Sequence, residues 1–248
     1  MVSFLAERVK SGIPGLDKLI GGGYPRDSVI LLSGGPGTGK TTFALQYIYY
    51  GAKHNEPGLY VTFEQEPEHL KSSMKQFGMD LDKLEKQKKL AIVRIKNVRD
   101  LTEIMKIIKT NVKKLKAKRL VIDSFSSMEI FASTFRSMIK DFPTGVIERR
   151  IPLLPPPQAV IRRLMYKMIQ FFKELHLTVL LISESNGEEY SRYGIAEFVC
   201  DGIIKLEATV IGKSLQRSIV VIKLRETKID GGRYSVDITE KGIKVLNL

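Results

Sequence analysis

The stretch that decides the fold lies at residues 28–42 and reads SVILLSGGPGTGKTT. Residues 28–32 form an apolar run typical of a buried β-strand, and residues 34–41 match the pattern Gly-x-x-x-x-Gly-Lys-Thr. Closely spaced glycines let successive backbone N–H groups converge on an anion without obstruction by Cβ atoms. A helix that begins near Thr41 presents its positive end to the same anion. The stretch therefore predicts a strand, a phosphate-binding loop and a helix.

We expect this loop and the start of the helix to hold the phosphates of a nucleotide. The Lys40 ammonium would reach the β- and γ-phosphates, and the Thr41 hydroxyl would ligate Mg²⁺. A glycine-rich turn without a ligand is the alternative, which the position between an apolar strand and a helix disfavours. The residues assigned to the nucleotide are Gly35, Pro36, Gly37, Thr38, Gly39, Lys40, Thr41 and Thr42.

The composition of the 248 residues is that of a globular protein, with 43% apolar residues and no apolar run near the roughly 20 residues of a membrane span. Residues 1–8 meet charge too early for a signal peptide. Cys200 is the only cysteine, which excludes an internal disulfide and a cysteine-based zinc site and suits a reducing compartment. We predict one α/β domain over residues 1–248, located in the cytoplasm and without membrane contact.

Strand-like apolar runs alternate with segments of helical period up to residue 182. The later runs of this series lie at residues 59–63, 90–95, 120–124 and 178–182. Such alternation predicts a mostly parallel, twisted sheet with helices on both faces and ligands beyond the carboxyl ends of the strands. After Gly202, short runs divided by glycines predict antiparallel strands that extend the sheet. These C-terminal strands are expected at residues 203–206, 218–225, 234–238 and 243–246.

Residues 129–158 interrupt this order. They include Pro143, Gly145, Pro152 and three consecutive prolines at 155–157, so they cannot form one continuous helix. We predict a long irregular insertion, followed by an amphipathic helix over residues 161–175. His176 at the end of that helix is expected to act as a C-terminal cap rather than as a catalyst.

Two carboxylates follow apolar strands near the expected nucleotide. Asp123 ends the run at residues 120–123, where a carboxylate can hold Mg²⁺, most simply through a water molecule. Glu64 ends the strand after the phosphate-loop helix, where it can polarise water against the γ-phosphate. The alternatives are a capping role for Asp123 and a surface position for Glu64 within the acidic cluster of Glu64, Glu66 and Glu68.

Several short motifs follow one another along the chain. They are GIPGLD at residues 12–17, GGGYP at 21–25, the phosphate loop, VTFE at 61–64, IDS at 122–124, YGIAEF at 193–198 and KLR at 223–225. Together they resemble the motifs of the KaiC-type ATPases of the RecA superfamily, over nearly the whole chain except residues 129–158. The resemblance implies a RecA-like P-loop NTPase fold, binding of ATP or ADP with Mg²⁺, and homo-oligomeric assembly. In the family, ATP lies between the subunits of a ring, most simply a hexamer.

The resemblance also implies a contribution from a neighbouring subunit. In that family the Lys-Leu-Arg segment reaches the γ-phosphate held by the next subunit, so Lys223 and Arg225 would act in trans. A cation supplied across an interface can raise the rate of phosphoryl transfer by about 10³–10⁵. Without the resemblance, both side chains would be interpreted as solvent-facing charges on a strand. Residues that match the rest of the neighbour's side of the pocket are Leu224, Thr227, Ile229 and Glu240.

The chain departs from the family at two places. Gln65 stands where the family often has a second glutamate, and an amide cannot act as a base, so we expect slow hydrolysis that depends on Glu64. Glu197 and Phe198 occupy the positions where the self-phosphorylating half of KaiC has hydroxyl residues. Autokinase activity and a clock mechanism are therefore not expected.

The net charge of +13 is compatible with a polyanionic partner. Much of this charge lies between Lys83 and Arg119, where the favoured interpretation is the solvated face of an amphipathic helix. Residues 129–158 mix aromatic and cationic side chains, as single-strand binders do, although their prolines and apolar residues favour a subunit contact or a lid.

Three functional hypotheses remain. The leading one is a ring-forming ATPase that couples slow ATP hydrolysis to a change of conformation. The second is a RecA or RadA relative that binds single-stranded nucleic acid. The third is a nucleotide-gated interaction module with negligible turnover, which Gln65 would explain. The protein partner stays unidentified at this stage.

Overall fold

The computed structural model describes residues 7–96, 101–128, 157–185, 189–192 and 194–246. For residues 157–161 the description is restricted to the backbone. Most of the predicted insertion at 129–158, and Tyr193 of the YGIAEF motif, lie outside the described residues.

The amino-terminal half begins with a small antiparallel pair and continues into the alternating units. The pair consists of β1 (Arg8–Val9) and β2 (Tyr24–Pro25), with α1 (Leu16–Leu19) between them. The following elements are β3 (Val29–Gly34), α2 (Lys40–Lys53), β4 (Gly58–Thr62), α3 (Pro67–Lys75), α4 (Leu81–Lys86), β5 (Leu90–Arg94), α5 (Leu101–Leu115) and β6 (Arg119–Asp123).

The carboxyl-terminal half completes the sheet. Its elements are α6 (Pro157–Glu174), β7 (Thr178–Glu184), α7 (Ala196–Val199), β8 (Gly202–Ile211), β9 (Ser214–Leu224), β10 (Arg233–Thr239) and β11 (Gly242–Val245). None of the helices that the structure describes combines the length and apolar character that a bilayer span requires.

One nine-stranded sheet organises the molecule, in the order β11-β10-β9-β8-β3-β7-β6-β4-β5. The strands from β8 to β5 in this order are parallel, and β9, β10 and β11 add antiparallel pairs. The prediction of antiparallel C-terminal strands is correct for these three and incomplete for the first, because β8 pairs antiparallel with β9 on one side and parallel with β3 on the other. The predicted strand at 203–206 belongs to β8, which pairs parallel with β3 because the chain crosses over through α7 before entering it.

Apolar clusters cover both faces of the sheet, as predicted. One cluster combines α2 with α3, α4 and the β10–β11 hairpin, while the other combines α5 and α6 with the opposite face. The buried positions of α5 are Ile104, Ile108 and Val112, which recur at helical spacing.

The start of α6 differs from the prediction, and its end agrees with it. The helix begins at Pro157, so the last two residues of the predicted insertion are helical, because proline is well tolerated in a first helical turn. His176 follows the helix with φ 52° and donates its backbone N–H to the carbonyl of Lys173. This left-handed conformation is the one expected of a residue that terminates a helix.

A buried arginine joins α2 to the start of β6. The Arg119 side chain is 1% exposed, donates Nε to the Glu56 carboxylate at 2.8 Å and Nη1 to the Tyr47 carbonyl at 2.8 Å, and stacks on the Tyr47 ring. A Cβ at Gly51 would lie 2.3 Å from this side chain, so only glycine permits the approach. Burial of a charge requires such pairing. The two elements are therefore held at a defined distance.

Candidate functional site

The predicted nucleotide site lies at the carboxyl edge of the parallel strands. A cleft of about 310 Å³ is lined by the phosphate loop and by residues that follow β4, β6 and β7. Among its lining residues are Lys40, Thr41, Glu64, Asp123 and Glu184. The structure thus brings together the cradle and both carboxylates that the sequence pointed to, at the edge where parallel sheets bind ligands.

The phosphate loop has the conformation of an anion cradle. Gly39 adopts φ 96° immediately before α2, and no side chain caps the first turn of that helix, so its N–H groups face the loop. The Lys40 ammonium donates to the Gly35 carbonyl at 2.7 Å, and the Thr38 hydroxyl donates to the same carbonyl at 2.9 Å. Space beside Gly35 and Gly37 is open. A phosphate chain fits this opening.

Lys40 is the cationic centre of the cleft. Burial lowers the pKa of its ammonium, and the carboxylates of Glu184, Asp123 and Glu64 partly offset that shift. Three carboxylates around one half-buried lysine leave an excess of negative charge, which a divalent cation would neutralise.

Asp123 and Thr41 form an oxygen pair suited to Mg²⁺. The Thr41 hydroxyl lies 3.4 Å from the Asp123 carboxylate, which also accepts a hydrogen bond from the Tyr60 hydroxyl. Burial raises the pKa of the Asp123 carboxyl, while the Tyr60 hydrogen bond opposes that change. Mg²⁺ favours such hard oxygen ligands and takes others from phosphates and water. Accordingly, the described residues contain no cluster of three or more His, Cys, Asp or Glu that could hold a metal alone.

Glu64 is held by hydroxyl groups that follow β6. Its Oε1 accepts hydrogen bonds from Ser124 Oγ at 3.2 Å and from Ser127 Oγ at 3.0 Å. The peptide bond between Asp123 and Ser124 is cis. Gln65 lines the same cleft, and its backbone N–H donates to the Thr62 hydroxyl at 3.1 Å. Glu64 is exposed to solvent, and two hydroxyl donors hold its carboxylate at the cleft.

Sequence reasoning missed several groups at this edge. Glu184 ends β7 as Asp123 ends β6, and that similarity of strand ends could have revealed it. Tyr60 carries no such signal, because a tyrosine within a buried strand is typical of a core. Arg217 donates Nε to the Gly37 carbonyl at 3.1 Å, although it lies far along the chain on β9. Only the register of the β8–β9 hairpin reveals this contact.

Lys223 and Arg225 lie at the other edge of the sheet. Leu224 pairs with Gly202, which pairs with Ile30 near the start of β3, whereas the phosphate loop follows the end of that strand. The structure does not bring these two cations to the phosphate loop of their own chain.

Both cations have acceptors within their own subunit. Lys223 donates to the carbonyls of Glu197 at 3.1 Å and Cys200 at 2.8 Å, and burial lowers the pKa of its ammonium, assisted by the nearby charge of Arg225. Arg225 is half exposed and donates to Asp201 Oδ1 at 3.1 Å.

Asp201 is shared by several donors at this edge. Besides Arg225, its Oδ1 accepts from Lys173 at 2.9 Å, and its Oδ2 accepts the N–H of Val29, the first residue of β3, at 3.0 Å. Asp201 therefore links the strand that leads to the phosphate loop with the half-exposed Arg225.

The other residues that were assigned to the neighbour's side of the pocket lie at different edges of the sheet. The Thr227 hydroxyl accepts from Arg8 at 2.5 Å, and Ile229 packs against the core beside the same edge as Arg225. Glu240 instead lies in the turn between β10 and β11, whose Ile238 and Ile243 approach Gly39. It thus lies near the phosphate loop of its own chain.

Glu197 and Phe198 differ in their surroundings. The Glu197 carboxylate accepts from the N–H groups of Tyr190 and Ser191, both at 2.8 Å, and from the Ser191 hydroxyl at 2.7 Å. Phe198 is exposed. Neither side chain offers a free hydroxyl.

Known proteins resemble this chain over almost its full length. The family model described as ATPase: KaiC matches residues 9–151 and 152–248. A UPF0273 protein of Thermotoga maritima is 32% identical over 258 residues, covering 97% of this chain and 96% of that protein. A UPF0273 protein of Methanocaldococcus jannaschii is 33% identical over 257 residues, covering 96% of each.

A solved structure shares the fold. The crystal structure of a KaiC-like protein from Pyrococcus horikoshii OT3 superimposes with a TM-score of 0.80 at 37% sequence identity, covering 98% of this chain and 100% of that chain. This similarity and the mixed nine-stranded sheet confirm the predicted RecA-like α/β fold.

Proposed function

Because the chain belongs to the KaiC family of ATPases, we propose that it hydrolyses ATP at the contacts between identical subunits of a ring, most simply a hexamer. Hydrolysis changes the conformation of the ring and thereby its contacts with a partner. The observation that carries this proposal is the separation of two half-sites within one chain: the cradle at the carboxyl edge of the sheet and the Lys-Leu-Arg segment at the amino edge.

A head-to-tail arrangement follows from this separation. Two patches on opposite edges of one subunit complement each other only between different copies, and such heterologous contacts close into a ring when the rotation between subunits permits. The charges of the two surfaces favour this contact, since carboxylates surround the cradle of Lys40 and cations dominate the other edge. The assembly would therefore bring Lys223 and Arg225 of one subunit to the nucleotide of the next.

The cradle accounts for binding of the substrate ATP. Backbone N–H groups within residues 37–42 would hold the β- and γ-phosphates, and Lys40 would exchange its bond to the Gly35 carbonyl for phosphate oxygen. Thr41 and Asp123 would hold Mg²⁺, Asp123 most simply through water. When bound, the metal ion supplies positive charge against the phosphates.

The opposite side of the loop is suited to the rest of the nucleotide. Arg217 and the turn that carries Glu240 flank the loop away from Asp123, so we assign the ribose and base to that side. Leu224, Thr227 and Ile229 would border the pocket from the neighbouring subunit. In this arrangement, Glu240 borders the phosphate loop of its own subunit rather than that of the neighbour.

Glu64 is assigned as the general base. It would take a proton from water as the water oxygen bonds to the γ-phosphorus and the bond from that phosphorus to the bridging oxygen breaks, giving ADP and inorganic phosphate. The hydroxyls of Ser124 and Ser127 hold the carboxylate for this task. Since Gln65 supplies no second base, we expect slow turnover.

Lys223 and Arg225 would stabilise charge on the transferred phosphoryl group in trans. Each would have to exchange a present acceptor, the carbonyls near α7 or the Asp201 carboxylate, for phosphate oxygen. We do not expect autophosphorylation, because Glu197 is engaged in internal hydrogen bonds and Phe198 has no hydroxyl.

Mixing two inactive variants tests the shared site. Glu64→Gln removes the base from the cradle side, and Arg225→Ala removes the cation from the other side. Each alone should release phosphate slowly from ATP, whereas an equimolar mixture, reassembled with ATP, should recover roughly a quarter of the wild-type rate, since random assembly pairs intact halves in that share of contacts. Phosphate release and mass in solution, with and without ATP, are the measurements.

A second mixture serves as the control. Lys223→Ala and Arg225→Ala affect the same side of the contact, so their mixture should recover no activity. Recovery in neither mixture, or a wild-type protein that hydrolyses ATP as a monomer, would contradict the ring proposal. A folded protein that binds ATP and releases no phosphate would instead support the nucleotide-gated module.

A further inference from the structure

The outer surfaces of α5 and α6 carry rows of exposed cations. On α5 the exposed face carries Lys106, Lys109 and Lys113, one on each successive turn. On α6 it carries Arg162, Arg163 and Lys167. Both helices cover the same face of the sheet and share one apolar cluster. Their charged faces therefore point away from the same side of the sheet.

These cations have no acidic partners among the residues that the structure describes. No side-chain hydrogen bond or ion pair joins any of the six to a described residue. On the opposite face of the sheet, Lys71 and Lys75 of α3 pair with Asp82 and Glu85 of α4, whereas Lys83, Lys86 and Lys88 form no ion pair with a described residue. Although Glu103 shares the exposed side of α5, the α5–α6 face keeps an excess of positive charge, which is the electrostatic pattern of a polyanion site.

The spacing suits an extended phosphate chain. Successive lysines on α5 rise by about 5–6 Å along the helix axis. The two helices pack over β4 and β3, which are separated by β6 and β7, so their axes lie roughly 14 Å apart at the usual strand spacing. A single strand can therefore contact both rows of cations at once.

An exposed aromatic ring lies within the basic surface. Tyr166 of α6 is 50% exposed and stands one helical turn from Arg162 and Arg163, next to Lys167. A large ring left in solvent among cations is typical of surfaces on which bases stack while the phosphates meet Lys and Arg. A duplex would not offer its bases to this ring.

We propose that the α5–α6 face binds single-stranded nucleic acid, with phosphates along Lys106, Lys109 and Lys113 and a base stacked on Tyr166. This assignment is independent of the ring and of ATP hydrolysis. The face lies on the outside of the helical layer, apart from both edges of the sheet that carry the ATPase groups.

The test measures binding of the wild-type protein to a fluorescent oligothymidine of about 20 nucleotides, longer than the roughly 4–16 nucleotides that single-strand sites cover. The triple variant Lys106→Gln, Lys109→Gln, Lys113→Gln should lower the magnitude of the slope of log K against log salt by about 2, at about 0.7 per lost contact. The control triple Lys83→Gln, Lys86→Gln, Lys88→Gln makes the same change of net charge at and after α4, over the other face. It should leave the slope nearly unchanged.

Tyr166 separates single-strand binding from general attraction to phosphate. Tyr166→Ala should weaken binding of the oligonucleotide by about 5- to 150-fold, and Tyr166→Phe should retain it, because stacking needs the ring and not the hydroxyl. Neither change should affect a duplex of the same length. No binding by the wild-type protein at low salt, equal losses in the two lysine triples, or duplex binding as tight as single-strand binding would each overturn the proposal. Retained ATP binding verifies that every variant is folded.

Discussion

The two edges of the parallel sheet carry complementary chemistry. At the carboxyl edge, three carboxylates face Lys40 beside the open loop, so the local charge is negative in excess and favours a divalent cation together with any nucleotide. At the amino edge, Lys223 and Arg225 are already satisfied by carbonyls and by Asp201. The carboxyl edge thus presents an open cradle, whereas Lys223 and Arg225 would have to leave their present acceptors in order to act in trans as proposed.

The largest effect should follow from loss of the carboxyl-edge cation. Lys40→Ala removes the charge that faces the β- and γ-phosphates, so we expect ATP binding to fall by at least about 100-fold and turnover to be lost. Fluorescent-nucleotide titration measures the binding. Lys53→Ala, at the exposed far end of the same helix, is the control and should bind ATP normally. Equal affinity in the two variants would contradict the role of Lys40.

A smaller and more selective effect is expected at the amino edge. Arg225→Ala should leave ATP binding within a few-fold and reduce the turnover number by about 10³-fold, in the range found for arginines that act in trans. Arg233→Ala, an exposed arginine on the adjacent strand β10 that pairs with Glu207, should leave turnover unchanged. If ATP binding fell together with turnover, the distinction between the two edges would fail.

Substitution of Asp201, which holds Arg225, should lower the turnover number less than substitution of Arg225 itself. Asp201→Asn keeps the size of the side chain but removes the charge that holds Arg225, so we expect the turnover number to fall by about 10-fold with little change in KM for ATP. Steady-state phosphate release at several ATP concentrations separates the two constants. A rise in KM with an unchanged turnover number would show that Asp201 does not act through Arg225.

The smallest effect is expected from one hydroxyl at the carboxyl edge. Ser127→Ala removes one of the two hydrogen bonds to Glu64 and leaves the bond from Ser124. Turnover should fall only a few-fold, in line with the loss of one neutral donor to a charged group. Ser73→Ala is a matched control, because among the described residues that exposed hydroxyl bonds to nothing but the His69 carbonyl in its own helix. A loss as large as that of Glu64→Gln would indicate that Ser127 itself takes part in the reaction.

The sequence predicted those parts of the site that local patterns encode. The phosphate loop was predictable because one strand, a glycine pattern and one helix build it within residues 28–53. Asp123 and Glu64 were predictable because parallel strands end at a common edge, whichever their order in the sheet.

Other groups depend on distant packing and could not be predicted. Tyr60 reaches Asp123 only because β4 and β6 are neighbours, and Arg217 reaches Gly37 only through the register of a long hairpin. The parallel pairing of β8 with β3 was missed because the short helix α7 carries too few residues for a recognisable period. Hydrophobic periodicity and turn residues thus predict helices and strands. Which side chains come into contact depends on how the strands pair in the sheet.

The buried Arg119 bears on the candidate metal ligands at the far end of its strand. It ties the start of β6 to the carbonyl of Tyr47 in α2, while Asp123 ends β6 and Thr41 lies in the first turn of α2. The distance between the Thr41 and Asp123 oxygens therefore depends on a contact four residues away along β6 and six residues away along α2. If these oxygens hold a metal ion as proposed, we expect a substitution of Arg119 to shift the preference between Mg²⁺ and larger cations such as Ca²⁺ without changing either ligand.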